Sequence, residues 1–199
     1  YDRLSLADRS NLRIERLATP MHIAGLCVVA AAPLLDGDGQ LDLAMIKRRL
    51  ARRLVRVPML RRIVYPTPPL CGPPLWIDDQ AFSIDRHVRS MAIAPPGDEA
   101  SLLATTERLL CPLLDRSHPL WELWFLTGLV DGRIGMLFKA HHAVADGLAA
   151  VALMMTFLDL APDTPDPPVT PWTPTPAPAH WALLTDHMRS RALSLRSSL

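Results

Sequence analysis

Apolar and polar residues alternate along the chain with two different periods, which predicts a mixture of strands and helices. Residues 21–35 form an apolar run rich in β-branched residues, followed by the turn sequence Asp36-Gly37-Asp38-Gly39. This pattern predicts a buried strand and a loop. Asp42 then precedes apolar residues at three- and four-residue steps, namely Leu43, Ile46, Leu50 and Leu54. This spacing predicts a capped amphipathic helix that ends before Pro58.

The middle of the chain continues this alternation of strands and helices. Short strands are predicted at 61–65, 75–77 and 91–94, and a second helix, starting at Asp98 or Ser101, carries an apolar stripe from Leu102 to Leu113. Two apolar runs, 121–130 and 134–141, are joined by Asp131-Gly132-Arg133, which predicts a hairpin. An almost wholly apolar helix, 147–160, follows and is expected to be buried. The pattern predicts a two-layer α/β sandwich.

Residues 162–199 differ in composition from the rest and predict a domain boundary. We assign residues 1–161 to one globular domain. Residues 162–178 hold eight of the 20 prolines, which excludes a helix or a central strand and predicts a semi-rigid linker. Residues 179–199 regain helical character and are expected to lead to a C-terminal domain beyond this sequence.

Composition restricts the class of protein. With 199 residues, 49% of them hydrophobic, the chain can bury a sizeable core. Its apolar runs are shorter than the roughly 18 to 20 residues that cross a bilayer, and residues 1–19 lack the apolar core of a secretory signal. We therefore expect a cytoplasmic protein. The three cysteines, Cys27, Cys71 and Cys111, lack zinc-site spacing and are expected to be reduced thiols.

The positive charge is concentrated in one segment although the net charge is only +1. Residues 47–62 carry Lys and Arg side chains and no acidic residue. Nucleic-acid binding is not expected, because basic and aromatic residues do not interleave and no nucleic-acid motif is present. A solvated helix face is one interpretation of this segment. The other interpretation is attraction to anions, either CoA phosphates or anionic lipid head groups. Attraction to lipid head groups implies peripheral association with a membrane or lipid droplet.

The sequence His141-His142-Ala143-Val144-Ala145-Asp146-Gly147 lies where a predicted strand ends and a helix begins. Histidine titrates near neutrality and can take a proton from a hydroxyl and return it to a leaving group. An aspartate before a helix can brace the turn, and glycine permits close backbone approach. Structural histidines at a strand end are the alternative. A metal site is not expected, because adjacent strand residues face opposite ways. A serine hydrolase is not expected either, because its elbow signature GxSxG is absent.

Further segments accompany this heptad, and together they resemble the bacterial wax ester synthase/diacylglycerol acyltransferases, CoA-dependent acyltransferases with a chloramphenicol-acetyltransferase-like fold. The resemblance covers almost the whole chain. Its segments are Leu4-Ser5-Leu6-Ala7-Asp8, Pro20-Met21-His22-Ile23-Ala24-Gly25, Pro74-Leu75-Trp76-Ile77-Asp78-Asp79 with Phe82, Asp85, His87 and Val88, and Leu114-Asp115-Arg116-Ser117-His118-Pro119-Leu120-Trp121-Glu122. One departure is Arg9-Ser10-Asn11-Leu12, where the family usually has a small residue and a phenylalanine.

The resemblance implies an O-acyltransferase that transfers a long-chain acyl group from acyl-CoA to the hydroxyl of diacylglycerol or a long-chain alcohol, forming triacylglycerol or wax ester. It implies His142 as general base, with His141 and Asp146 as further members of the catalytic motif whose structural role is favoured. Gly147, Pro119, Leu120 and Trp121 are implied near the substrate, although a core role fits the apolar triplet equally well. Acyl-CoA is then a co-substrate, and no metal or redox cofactor is expected.

Two other functions stay open beside this one. Peptide-synthetase condensation domains share HHxxxDG but take the acyl group from a carrier protein. A non-catalytic lipid-binding relative is the second alternative. Nothing in the sequence resembles the C-terminal half of the acyltransferase family, so we expect that half to be a partner in forming the complete acyl-CoA tunnel.

Overall fold

A four-stranded sheet forms the centre of the computed structural model, which describes residues 1–145, 147–159, 164–165 and 167–196. The strands, in spatial order, are β2 (His22–Val29), β7 (Ile134–His141), β6 (Trp121–Thr127) and β5 (Val88–Ala92). β7 pairs antiparallel with both of its neighbours, whereas β5 and β6 run parallel. A smaller antiparallel sheet has the order β1 (Asp2–Arg3), β4 (Leu75–Asp78) and β3 (Arg62–Tyr65). The predicted α/β class is confirmed.

Helices cover both faces of the central strands, and for this reason all eight residues of β7 are buried. On one face, α2 (Leu43–Arg53) and α5 (Gly147–Phe157) pack on alternate residues of β7, including Met136, Phe138 and Ala140. On the other face, Leu102 of α4 (Glu99–Leu110) packs against Leu137. Side chains on successive strand residues point to opposite faces, so β7 serves two cores.

The predicted helix starts and the hairpin are confirmed. The Asp42 side chain accepts a hydrogen bond of 2.7 Å from the Met45 amide at the start of α2, and Asp98 accepts one of 2.8 Å from Ser101 at the start of α4. Each carboxylate satisfies an amide that a helix start otherwise leaves unpaired. β6 and β7 form the predicted antiparallel hairpin.

Three predicted details are wrong. The strand that includes Gly25 lies at a sheet edge and is half-buried, not buried. The short strand predicted at 91–94 starts earlier, at Val88, directly after helix α3 (Ile84–His87). Helix α5 is not fully buried, because Val151 is 61% and Met155 47% exposed. An apolar residue on every face of a helix gives no period from which its contact face could be predicted.

The end of one α5 side chain lies over Gly25 of the edge strand. A Cβ added at Gly25 in β2 would lie 2.6 Å from the sulfur of Met154 in α5, so the flexible Met154 side chain would have to shift. Gly25 therefore leaves room for the present position of the Met154 side chain.

The proline-rich segment and the last helix pack against the smaller sheet. Thr175 in the segment receives a hydrogen bond of 2.8 Å from Gln80 at its carbonyl and donates one of 3.0 Å to Asp78. In the same proline-rich segment, the Trp172 ring lies 4.3 Å from the Arg61 guanidinium. Helix α6 (His180–Arg196) buries Leu183 beside the β4 strand, in one cluster with Leu75 and Ile77, and Asp186 pairs with Arg3 at 2.7 Å. The described part of the segment contains no helix or strand, as predicted.

Several cations of the basic segment contact other parts of the chain. Lys47 pairs with Asp85 at 2.7 Å, Arg53 with Asp159 at 2.5 Å, and Arg62 with Asp78 at 3.5 Å. Arg48 and Arg56 are exposed. These internal ion pairs favour a structural role for much of this charge.

The three cysteines are free thiols, and Cys27, Cys71 and Cys111 are respectively half-buried, buried and exposed. Within the described residues, no helix has both the length and the apolar character needed to span a membrane.

Candidate functional site

The end of β7 places the two histidines of the heptad in opposite environments. His141 pairs across the sheet with His22 of β2, and its backbone amide donates a hydrogen bond of 3.0 Å to the Leu120 carbonyl. The next residue leaves the strand in a turn, in which the His142 amide donates to the Met21 carbonyl at 2.7 Å. His141 is 0% exposed, whereas His142 is exposed.

The buried His141 ring holds the turn that presents His142. Its Nδ1 accepts a hydrogen bond of 2.9 Å from the Ala143 amide. The neutral ring therefore carries its proton on Nε2, which lies 3.5 Å from Oε1 of Glu15. Burial lowers the pKa of His141 to about 4, although the nearby Glu15 carboxylate acts in the opposite direction. At neutral pH the buried His141 ring is uncharged, and its structural role stays a prediction.

Glu15 is the centre of a buried polar cluster beneath the two histidines. Its side chain is 1% exposed, and Oε2 accepts a charge-assisted hydrogen bond of 3.0 Å from Arg116. Oε1 accepts one of 3.3 Å from the Met21 amide and lies 3.4 Å from Nε2 of His22. Burial acts to raise the pKa of Glu15, but the Arg116 hydrogen bond and the neighbouring charges outweigh it and lower that pKa. The carboxylate is therefore ionised at neutral pH.

A buried lysine ties the same sheet to the end of α4. The Lys139 side chain, 1% exposed in the middle of β7, donates hydrogen bonds to the carbonyls of Leu109 at 3.0 Å and Pro112 at 2.6 Å. These carbonyls lie at the C-terminal end of α4, where a cation is favoured. Burial lowers the pKa of Lys139, and the charges of Glu122 and Glu15 oppose that effect.

The exposed His142 ring contacts helix α1 (Leu6–Ile14). Its Nδ1 lies 3.4 Å from Nδ2 of Asn11. Asn11 and Glu15 are four residues apart, so they share the helix face that lies next to the heptad. The same segment of chain thus contacts both histidines, His142 through Asn11 and His141 through Glu15.

The remaining predicted site residues are placed as follows. Asp146 lies outside the described residues. Gly147 is the first residue of α5. Pro119, Leu120 and Trp121 are buried, the Trp121 indole donates to the Leu60 carbonyl at 2.7 Å, and its ring stacks on His87 at 4.6 Å. Their burial favours the core role, and substrate contact by Gly147 and the triplet stays a prediction.

Sequence reasoning missed Asn11, Glu15 and Lys139 as members of this region. Asn11 stands in the segment that departs from the family pattern, and Lys139 lies in a run that is otherwise mostly apolar. Two signals were available. Lys139 is a polar residue between apolar ones in the last strand before the heptad, and Asn11 in α1 lies four residues before Glu15 at the helix C-cap. Neither pattern specifies which residue of another element it will meet.

An apolar cavity of about 260 Å³ lies at the other end of the central sheet. It is lined by residues that include Val29, Met136 and Phe157, with the ion-paired Arg53 and Asp159 at its edge. Met136 is five strand positions from His141, about 17 Å along β7. The cavity is therefore separate from the exposed histidine. The described residues hold no group of three or more His, Cys, Asp or Glu side chains suited to a metal ion.

Comparison with known proteins assigns the chain to a family. The model of the wax ester synthase/diacylglycerol acyltransferase catalytic domain matches residues 4–198. The chain belongs to this family. A relative from Mycobacterium tuberculosis, named "Probable diacyglycerol O-acyltransferase tgs3", is 33% identical over 182 residues, which are 92% of this chain and 65% of the relative. A second, tgs2 of the same species, is 37% identical over 160 residues and is matched over only 34% of its length.

Solved structures of related proteins share the fold. The wax ester synthase/diacylglycerol acyltransferase of Marinobacter aquaeolei VT8 superposes with a TM-score of 0.68 at 26% identity, over 84% of this chain and 40% of that one. The starter condensation domain of a rhizomide synthetase superposes with a TM-score of 0.59 at 15% identity, over 78% of this chain and 37% of that one, which shows similarity of fold alone. The chain thus spans less than two thirds of the length of these wax ester synthase/diacylglycerol acyltransferase relatives.

We predict that this family member loses stability as the pH falls from about 6.5 to about 4. Unfolded His141 takes up a proton near its ordinary pKa of 6.5, whereas the folded ring resists protonation down to about 4. The unfolded state therefore binds more protons in this window, and stability present above it is lost as the pH decreases. The contribution of His141 is on the order of 3 kcal/mol at most. Burial lowers the pKa of His22 and His87 in the same direction.

Denaturant unfolding at several pH values measures this dependence. In His141→Asn the amide oxygen can replace Nδ1 as acceptor for Ala143, so the variant should fold but show a shallower dependence of its unfolding free energy on pH. His180→Asn, which removes an exposed histidine, is the control and should leave the slope unchanged. Equal slopes in His141→Asn and the unmodified protein would contradict the prediction.

Proposed function

We propose that this chain contributes the general base of an acyltransferase that transfers an acyl group from acyl-CoA to the hydroxyl of diacylglycerol or a long-chain alcohol, forming triacylglycerol or wax ester. The observation that carries the proposal is the exposed His142 ring, presented by a turn that the buried His141 ring and the Met21 carbonyl hold in place. Membership of the family supports the choice of acyl donor and acceptor.

The chemical step requires one group that accepts and then returns a proton. His142 takes the proton of the acceptor hydroxyl while that oxygen attacks the thioester carbonyl carbon. The tetrahedral intermediate collapses with cleavage of the carbon–sulfur bond, and the imidazolium of His142 protonates the CoA thiolate. The products are the ester and free CoA, and the base returns to its starting state.

The neighbouring groups have supporting roles in this proposal. His141, fully buried and uncharged at neutral pH, does not exchange a proton with substrate but fixes the turn. For Asp146 we keep the bracing role that its sequence position before α5 predicts. The negative charge on the intermediate needs hydrogen-bond donors, and we assign these to the part of the relatives' length that this chain does not span.

Assembly with that second half is the experiment that tests the proposal. We predict that residues 1–199 alone do not turn over, because one half cannot exclude water or position acyl-CoA. Joining them to the C-terminal half of a family member, or adding that half separately, should restore transfer from radiolabelled palmitoyl-CoA to diacylglycerol or hexadecanol. Full activity of the isolated chain would contradict the two-half arrangement.

Two further assays separate the alternative functions. Transfer from an acyl carrier protein but not from acyl-CoA would replace the proposal with the condensation-type reaction. Binding of diacylglycerol by the assembled protein without turnover of either donor would favour a non-catalytic lipid-binding protein.

We keep peripheral association with a membrane or lipid droplet as a secondary proposal. It rests on Arg48 and Arg56, the exposed members of the basic segment. Each cation near an anionic surface contributes about 1 kcal/mol, so two such residues give weak, salt-sensitive attraction.

A further inference from the structure

Helix α1 carries a side chain that contacts the proposed general base. Asn11 is half-buried, and its amide nitrogen lies 3.4 Å from Nδ1 of His142. His142 itself is exposed. We propose that Asn11 is a positioning residue for His142, whose amide holds the ring by Nδ1 and thereby presents Nε2 to the acceptor hydroxyl. This inference rests on the function proposed above.

The position of Asn11 relative to the heptad is fixed from both sides. Leu12, next in sequence, packs in one cluster with Ala143 and Leu120, which lie in and beside the turn that carries His142. One helical turn later, the Glu15 amide donates to the Asn11 carbonyl at 3.1 Å, and the Glu15 side chain is held by Arg116. Ser5 and Asp8 cap the start of the helix reciprocally. The amide is therefore delivered by a helix that is anchored at both ends.

The chemistry of an amide suits both protonation states of the base. The oxygen and the nitrogen of the Asn11 side-chain amide have nearly the same shape. The hydrogen bonding of the His142 ring therefore decides which of the two atoms faces Nδ1. A general base acting through Nε2 has its proton on Nδ1, and the imidazolium formed during transfer also carries one there. The Asn11 carbonyl oxygen, brought to Nδ1 by rotation about χ2, accepts from that N–H in both states. The ring thus keeps one orientation while Nε2 gains and loses its proton.

The titratable groups around the His142 ring determine how a charge at position 11 would affect protonation of that ring. Among the described residues, the charge of His142 acts on His141. Next to His141 lies Glu15, and both His22 and Arg116 are within ion-pair distance of the Glu15 carboxylate. Asp146 lies outside the described residues. A carboxylate at position 11 would be next to Nδ1 of His142, whereas one at position 10, on the same helix, would lack this contact.

The sequence departs from its family at this point. The segment Arg9-Ser10-Asn11-Leu12 stands where members that it resembles usually have a small residue and a phenylalanine. A phenylalanine ring can pack against an imidazole but cannot accept a hydrogen bond from its N–H with a carbonyl oxygen. A member with a phenylalanine at position 11 therefore lacks this contact.

The test is an NMR titration of the His142 imidazole in the 199-residue protein, which needs no catalytic activity. Asn11→Asp should move the midpoint of ring protonation to higher pH by about half a unit or more, because a carboxylate at Nδ1 favours the cation. Ser10→Asp introduces the same charge at an exposed neighbouring position and should cause a clearly smaller shift. In Asn11→Leu, imidazole ¹⁵N shifts should show less of the Nδ1-protonated tautomer than in the unmodified protein.

Equal midpoints for the two aspartate variants, or an unchanged tautomer ratio in Asn11→Leu, would overturn the inference. Thermal melting establishes that each variant is folded. In the assembled enzyme, Asn11→Leu should lower kcat on the order of tenfold with KM unchanged, and Asn11→Asp should move the acidic limb of the rate profile to higher pH. Absence of turnover in the unmodified assembled enzyme would count against the proposed function, whereas the NMR result would still decide the role of Asn11.

Discussion

Replacing His142 by alanine is expected to lower kcat of the assembled enzyme by roughly a hundred- to ten-thousand-fold while leaving thermal stability nearly unchanged. Loss of a general base has an effect of this size. The His142 ring is exposed and its recorded side-chain contact is with Asn11, so its removal should change the unfolding free energy by about 0.5 kcal/mol or less. Steady-state kinetics and thermal melting of the same preparation measure both effects.

Alanine at His141 provides the matched comparison, because the two residues are adjacent but differ in burial. His141→Ala removes a fully buried ring and the acceptor for the Ala143 amide. We expect a loss of about 2 to 4 kcal/mol in stability, since it leaves a cavity and an unpaired buried amide. Its effect on kcat, measured below the lowered melting temperature, should be smaller than that of His142→Ala.

A further readout separates general-base loss from misplaced substrate. An acceptor alcohol with a low hydroxyl pKa, such as a fluorinated alcohol, needs less help in losing its proton. His142→Ala should therefore impair transfer to that alcohol less than transfer to an ordinary long-chain alcohol. If His142→Ala retains normal turnover and normal melting, the assignment of the base is wrong.

Local signals explain which parts of the fold could be predicted. The start of α2 follows from Asp42 and the spacing of Ile46 and Leu50, all of which act within a few residues. The β6–β7 hairpin likewise follows from two apolar runs around a short turn. The extent of burial of α5 could not be predicted, because an all-apolar helix does not specify which of its faces meets the sheet. Nor could the packing of Trp172 on Arg61 be foreseen, since it joins segments distant in sequence.

The candidate site, too, could be predicted only where local sequence signals define it. The heptad, through the family resemblance, points to His142 as the base. One of the two histidines is exposed as expected, but the reason differs from strand alternation, because His142 lies in the turn after β7 and not on the strand. The polar cluster around Glu15 depends on contacts with Arg116, which is 101 residues away in the sequence. No periodicity links α1 to the segment that carries Arg116, because the two meet only through tertiary contacts, the hydrogen bonds of Arg116 to the Leu12 carbonyl and to Glu15.

That cluster leads to the second large effect, which is expected when Arg116 is replaced by alanine. The Glu15 carboxylate would remain buried with the Met21 amide as its donor, and an uncompensated buried charge typically destabilises by about 3 to 5 kcal/mol. Arg116 itself is 46% exposed, so the net loss should lie near the lower end of this range. Glu15→Gln should cost less, because the guanidinium it releases can turn into water.

The double variant and the pH dependence test this explanation together. Arg116→Ala combined with Glu15→Gln should be more stable than Arg116→Ala alone, since no buried carboxylate remains. The loss in Arg116→Ala should also be greater at pH 8 than at pH 5, because a proton taken up by Glu15 or by a neighbouring histidine neutralises the cluster at the lower pH. Denaturant unfolding of the three variants at both pH values measures these differences. Additive losses that do not depend on pH would show that Arg116 stabilises the protein through its hydrogen bond to the Leu12 carbonyl and not by compensating the charge of Glu15.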